Sequence, residues 1–297
     1  MDNLIALYQQ YLNLQGASFT RIEHDDATVA VVYKIITAAG TPLILKICTR
    51  TNHYLHELYC LQHFAQTLPV PRIIKVVPPE TGIKGALLME YLPGNLLTAK
   101  DFTDVLAYEV GSLLARIHLN RVACYGDLAQ PNELNSDPRS YFTKKFAEGL
   151  AECSGHLSQE LIKQSRDYFD AHINLLDAAD GPCITHRDFR AGNIIVHASK
   201  VQGIIDWSSA RASFAQEDFC PLEHNGWPTN ADNKQSFLAG YASVRPVPDY
   251  SAMMPLLRLN KAITSVGFTV KRGTWQSTDA RLYDYNRQFL ETFFQGS

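Results

Sequence analysis

The spacing of hydrophobic positions changes along the chain, and the change divides it. In "MDNLIALYQQYLNLQG", Leu4, Leu7, Tyr8, Tyr11 and Leu12 recur at helical intervals, so an amphipathic helix is expected first. "SFTRIEHD" and "TVAVVYKIIT" are β-rich, and "AAG" can turn the second into "TPLILKICT". "NHYLHELYCLQHFAQTL" then predicts a helix with Asn52 as its N-cap. "PRIIKVVPP", the turn "ETGIKG" and "ALLMEYLPG" supply two more strands. From about residue 100 the period lengthens to that of helices. "FTDVLAYEVGSLLARIHL" places Val105, Leu106, Val110, Leu113, Leu114 and Ile117 on one expected stripe. Residues 138–151, 158–178, 232–244, 251–268 and 279–294 are also read as helical. No repeat or low-complexity linker interrupts the pattern. "LPGN" at 92–95 is the expected boundary between a small β-rich lobe, 1–92, and a larger mainly helical lobe, 93–297.

Composition narrows the class without changing this layout. With 46% hydrophobic and 19% charged residues, 297 residues can bury a substantial core. A net charge of −3 lacks the basic surplus of a nucleic-acid protein. No apolar run approaches the roughly 20 residues of a membrane helix, and the first residues lack the basic start and cleavage site of a signal peptide. Cys48, Cys60, Cys124, Cys153, Cys183 and Cys220 form no CxxC pair, so free thiols in a reducing cytoplasm are expected. Nothing in the pattern sets an oligomeric state.

One stretch breaks the apolar rhythm with concentrated polarity. In "CITHRDFRAGNIIV", His186, Arg187, Asp188, Arg190 and Asn193 lie between two runs that read as buried strands, with Gly192 allowing a tight backbone. His186-x-Asp188 followed by Asn193 has the form H-x-D-x(4)-N, and Asp206 ends a later apolar run, "VQGIIDWSS". Phosphoryl transfer needs such types, because charge spread over several phosphate oxygens must be bridged by Mg²⁺ held on hard oxygen ligands. Asn193 and Asp206 are candidate magnesium ligands, and Asp188 would accept or orient the proton of an attacking hydroxyl. A short hairpin between "NIIV" and "GIID" would bring these groups to one end. A merely polar loop is the plain competitor.

The chain resembles the aminoglycoside phosphotransferase and choline kinase superfamily, relatives of the eukaryotic-type protein kinases, over nearly its whole length. The resemblance implies an α+β, bilobal protein-kinase-like fold with a small antiparallel β-rich N-lobe and a larger mainly helical C-lobe. "LILKI" resembles the strand carrying an ATP-binding lysine, here Lys46, and "HELYCLQHF" the helix whose acid, here Glu57, pairs with it. "LLMEYLPG" resembles the hinge that reads adenine through backbone bonds, implying Glu90 and Leu92, with Met89 at the back of the pocket. "THRDFRAGNIIV" and "IIDWSSA" resemble the catalytic and metal-binding strands, and "ARASFAQEDF" places Asp218 where the family braces its catalytic loop. ATP, Mg²⁺ and a small-molecule hydroxyl acceptor follow as the implied ligands. The motif pair is specific in this order, whereas each piece alone is weak.

Each assignment has a simpler alternative. Lys46 could be a solvated edge residue, but it follows "PLIL", and an inward lysine needs a charged partner. Glu57 could be an ordinary surface acid. His186 is read as a structural histidine rather than a base. Arg190 either contacts the γ-phosphate or pairs with an acid, and Arg187 is read as structural. The loop expected over the phosphates, "HDDATVA", has no glycine and carries Asp25 and Asp26. The family's usual Gly-Asp-Pro is here Ser213-Phe214-Ala215. His53, His56, Cys60 and His63 share one helical side and resemble zinc ligands by type, but ten helical residues span about 15 Å, too far for one tetrahedral ion. Glu217, Glu223 and Asp232 would suit a cationic amino sugar, and Phe214, Trp227, Tyr241, Tyr250 and Trp275 a quaternary ammonium such as choline. An aminoglycoside is the leading acceptor. A choline or other amino-alcohol kinase and a nucleotide-binding pseudokinase are the alternatives.

Overall fold

The chain opens with helix α1 (Asp2–Leu12), which buries Tyr8 and Leu12 and leaves Tyr11 exposed. At about 100° per residue Tyr11 stands at the edge of the stripe centred on those two. The computed structural model describes residues 2–23, 30–98, 100–130, 132, 134–224 and 231–295. Compactness divides the chain into two units. The first joins Met1–Ile117, His186–Arg211 and Pro228–Pro246; the second joins His118–Thr185, Ala212–Trp227 and Val247–Ser297.

In the first unit, β1 (Ser18–Arg21), β2 (Ala30–Ile36), β3 (Pro42–Cys48), β4 (Ile73–Val77) and β5 (Ala86–Glu90) form an antiparallel sheet in the order β1-β2-β3-β5-β4. The expected strand stretches are all present, although part of "HDDATVA", residues 24–29 with Asp25 and Asp26, lies outside the described residues. Period two sets the faces. Leu43, Leu45 and Ile47 of β3 join Tyr8, Leu12, Tyr33, Ile35 and Leu88 in one core. Lys46, between Leu45 and Ile47, therefore points to the opposite face of the sheet.

Helix α2 (Thr51–Phe64) starts one residue before Asn52. Its N-cap is Arg50, in extended conformation and without a side-chain cap bond, so Asn52 lies inside the helix rather than capping it. Tyr54, Glu57, Cys60, Leu61 and Phe64 are its buried face at i, i+3 and i+4 spacing. After β6 (Asn95–Leu96), helix α3 (Asp104–His118) buries Leu106, Val110, Leu113, Leu114 and Ile117, but Val105 is 76% exposed. Val105 is adjacent to Leu106, so it stands about 100° off the stripe the others define.

The later helices follow the expected segments closely. Asp137 caps α4 (Pro138–Glu152), with proline at its first turn. Ser158 caps α5 (Gln159–His172), which continues as a 3-10 turn over Ile173–Ala178. β7 (Cys183–Thr185) leads into the polar loop, and β8 (Ile194–His197) and β9 (Lys200–Ile204) of the first unit form the expected hairpin. β10 (Arg211–Ser213), α6 (Cys220–His224) and α7 (Ala231–Ala242) follow. α8 (Met254–Arg272), ended by left-handed Gly273, and α9 (Ala280–Phe293) complete the described elements. Apolar faces of α8 pack on α4 and α9, and Phe142, Phe146 and Phe169 stack beside them. All six cysteines are free. Among the described residues no helix is long and apolar enough to cross a membrane.

Candidate active site

The first unit assembles two ionic clusters and joins them through one backbone residue. Lys46 Nζ donates to Glu57 Oε2 at 2.8 Å and to Asp206 Oδ1 at 2.9 Å. Lys46 comes from the face of β3 opposite the α1 core, Glu57 from the buried face of α2, and Asp206 from the end of β9. Burial alone would disfavour the ammonium, but attraction to Asp206 and Glu57 outweighs it and raises the Lys46 pKa. Asp206 is held below the usual carboxylate range. Burial opposes its charge, while Lys46 and a 2.8 Å bond from Ser208 Oγ more than compensate. Glu57 is 2% exposed, and burial raises its pKa despite the opposing pull of Lys46.

The second cluster is built around Asp188. Asn193 Nδ2 donates to the Asp188 main-chain oxygen and to Oδ2, both at 2.8 Å, and Arg190 Nε reaches the same Oδ2 at 3.3 Å. The Asp188 carboxylate is thus bound on one oxygen, and Oδ1 carries no hydrogen bond from the described residues. Ile205 links the clusters: its N–H donates to Asn193 O at 2.9 Å, and its carbonyl lies 3.1 Å from His186 Nε2. A carbonyl only accepts, so Nε2 carries the proton; Nδ1 then accepts from the Asp188 N–H at 3.3 Å. His186 is therefore a strut that ties the polar loop to the end of β9 through backbone groups. Arg187 (φ 62°) and Asp206 (φ 63°) both adopt left-handed backbone, which costs a non-glycine residue about 1 kcal/mol or more.

Sequence reasoning missed Ser208, although a serine two residues after an aspartate is a known signal for local side-chain bonding. His56 Nδ1 bonds Ser208 O at 2.9 Å, which ties α2 to the turn that holds Asp206. Phe64 packs on Trp207 at 4.9 Å across the same contact. The zinc-like face is thereby absorbed into packing: Cys60 is buried, its thiol pushed up by burial, and His63 stacks on Tyr59. Among the described residues no group of three or more His, Cys, Asp or Glu could hold a metal.

The remaining expected residues are distributed unequally. Met89 is buried opposite Ile44 and Ile73, and Leu92 packs closely on Gly203 of β9, where a Cβ would meet its side chain. Glu90 donates its N–H to Arg72 O at 3.0 Å and accepts the Arg72 N–H on Oε1 at 2.9 Å. In the second unit, Asp218 is fully buried and lies 3.1 Å from His118 Nε2. Of the acceptor candidates, Phe214 and Tyr241 are core residues and Asp232 is an exposed residue of α7. Glu217 accepts from Ser213, and Tyr250 donates to Glu223 at 3.3 Å, its phenol pushed up to about 12 by burial and the nearby acid. Trp275 packs edge-on against His156, and Trp227 lies outside the described residues.

Residues 20–256 match the family model described as "Phosphotransferase enzyme family" (APH). The chain belongs to this family. Three solved structures place the APH fold around the whole sequence. The gentamicin complex of APH(2'')-IIa is 15% identical with a TM-score of 0.71, covering 98% of this chain and 96% of that one. A thermostable variant of APH(4)-Ia, in a ternary complex with AMP-PNP and hygromycin B, is 11% identical with a TM-score of 0.68 and coverages of 98% and 99%. The apoenzyme of macrolide 2'-phosphotransferase MphH from Brachybacterium faecium is 18% identical with a TM-score of 0.63 and coverages of 96% and 98%. No curated protein sequence matches the chain. These APH relatives share the antiparallel β-sheet lobe and the helical lobe described above.

Proposed function

We propose that the chain is an ATP-dependent phosphotransferase that moves the γ-phosphate to a hydroxyl of a small molecule, with an aminoglycoside as the leading acceptor. The observation that carries this reading is the joining of Lys46–Glu57–Asp206 to Asp188–Asn193 through Ile205, all within one unit. A nucleotide is supported by the AMP-PNP bound to the APH(4)-Ia variant, and an amino-sugar acceptor by the gentamicin and hygromycin B complexes. MphH, a macrolide enzyme, keeps the acceptor class wider than one drug family.

In this reading Lys46 has three donors, two of which serve Glu57 and Asp206, so one N–H remains for phosphate oxygens. Met89, Glu90 and Leu92 are assigned to the adenine. Asp188 would take the acceptor hydroxyl on Oδ1 and hold it in line, since positioning and electrostatics carry most of such a barrier reduction. Arg190 stands beside that oxygen pair. Asn193 and Asp206 fit a magnesium ion by donor chemistry. Asp206 commits Oδ1 to Lys46 and Ser208, and Asn193 commits Nδ2 to Asp188, which leaves one hard oxygen on each. Bound there, Mg²⁺ would offset the charge of the phosphates.

ADP release from MgATP, measured with gentamicin, hygromycin B, a macrolide and choline, tests the proposal. Turnover on at least one acceptor should fall about 100-fold or more in Asp188→Ala. Undiminished turnover in that variant would remove the role of Asp188. A melting shift with nucleotide but no turnover on any acceptor would replace the enzyme with a nucleotide-binding regulator.

A further inference from the structure

Arg190 and Gly192 form a pair that neither residue type explains alone. Gly192 does not occupy left-handed backbone, so conformational freedom is not what requires glycine. Space is. A Cβ at position 192 would lie 2.5 Å from Arg190 Nη1 and 3.4 Å from its Cζ, because the guanidinium folds back over the Ala191–Asn193 turn. From that seat Arg190 Nε reaches Asp188 Oδ2 at 3.3 Å, the same oxygen that Asn193 Nδ2 holds at 2.8 Å.

The consequence for the carboxylate is geometric. Two donors on one oxygen, approaching from different residues, fix the rotation of the Asp188 carboxyl about its terminal bond. That torsion is otherwise broad and nearly two-fold. The oxygen left without a donor is then held at one angle. Asn193 alone would leave the group hinged on a single bond. The guanidinium meets position 192 by its Nη1 end, and its planar fork is preorganised, whereas a lysine ammonium would not be.

We propose that Arg190 is a positioning residue that locks the Asp188 carboxylate in one rotamer, and that Gly192 is present to seat its guanidinium. The proposal rests on the reading of Asp188 as the group that receives the acceptor hydroxyl. It differs from a phosphate grip by Arg190, which would act on the nucleotide rather than on Asp188.

Two readouts separate these possibilities. The first needs no turnover: the Arg190 Nε–H signal in a proton–nitrogen NMR spectrum, assigned as the one missing from Arg190→Lys, should be slowly exchanging in the native chain. It should broaden or vanish in Gly192→Ala and in Asp188→Asn. A signal unchanged in both variants overturns the lock. The second is steady-state ADP release from MgATP with whichever of gentamicin, hygromycin B, a macrolide or choline is turned over. Gly192→Ala and Arg190→Ala should each lower kcat about tenfold with KM for ATP unchanged, and the double variant should lose no more than either single one. Multiplicative losses, or a rise in KM for ATP at constant kcat, overturn the proposal. Should Gly192→Ala fail to fold, the same substitution placed in Arg190→Ala should fold, since the obstructing group is gone; failure there too refutes the seat. If Asp188→Ala kept its turnover, the functional reading would fall while the NMR result still decided the lock.

Discussion

Asp206 gathers a lysine, a serine and a left-handed backbone at one position. Lys46 and Ser208 keep its carboxyl below the ordinary value near 3.9, so the ionised group contributes stability above about pH 4. That contribution is lost as the pH falls below the unfolded value towards the folded one. Asp206→Asn should therefore be about 2 kcal/mol less stable than the native chain near pH 6. The gap should narrow as urea unfolding is repeated below pH 4; a constant gap would show that charge is not what Asp206 contributes. At this scale the sequence announced the residue types, since Asp188, Asn193 and Asp206 stand in a recognisable order. It did not announce that Arg190 bonds Asp188, because a two-residue spacing leaves the direction of a long side chain open.

Among the elements, the β8–β9 hairpin does most to bring the clusters together. Its two turn residues, Ala198 (φ 47°) and Ser199 (φ 59°), both adopt left-handed backbone, as a tight two-residue turn requires. Neither is a preferred residue for it. Replacing them together as Ala198→Asn and Ser199→Gly should stabilise the first unit by about 1 kcal/mol, read as a higher melting temperature with no change in nucleotide binding. A lower melting temperature would mean that one of those side chains contributes packing of its own. Apolar runs and turn residues made nearly every element legible from sequence. The misplacements came where local rules were weak: Val105 counted as part of a stripe it only adjoins, and Asn52 was favoured as a cap by type alone.

Across the whole molecule, each unit is stitched from separated chain segments, and each carries its own response to pH. In the second unit His224 is buried, with Nε2 bonded to Asn286 Oδ1 at 2.9 Å. Burial, with Arg258 and Lys261 nearby, lowers its pKa to about 4, whereas the unfolded imidazole titrates near 6.5. Above pH 6.5 both states hold it neutral. Between that value and about 4 only the unfolded chain takes up the proton, so stability should fall by about 3 kcal/mol over the interval. Denaturant unfolding from pH 7.5 to 4 would measure the fall, and His224→Gln should flatten it. An equal slope in that variant would place the pH dependence elsewhere.

The sequence by itself determined the order of elements, the apolar faces that bury them and the residue types of the proposed phosphoryl-transfer site, because periodicity and motif spacing are local properties of a chain. Tertiary structure alone decided which groups touch. Lys46 meets Asp206 across 160 positions of sequence, and one strand register places Asn193 beside Ile205. No local rule encodes those distances; they follow from packing a sheet, a helix and a hairpin against one another.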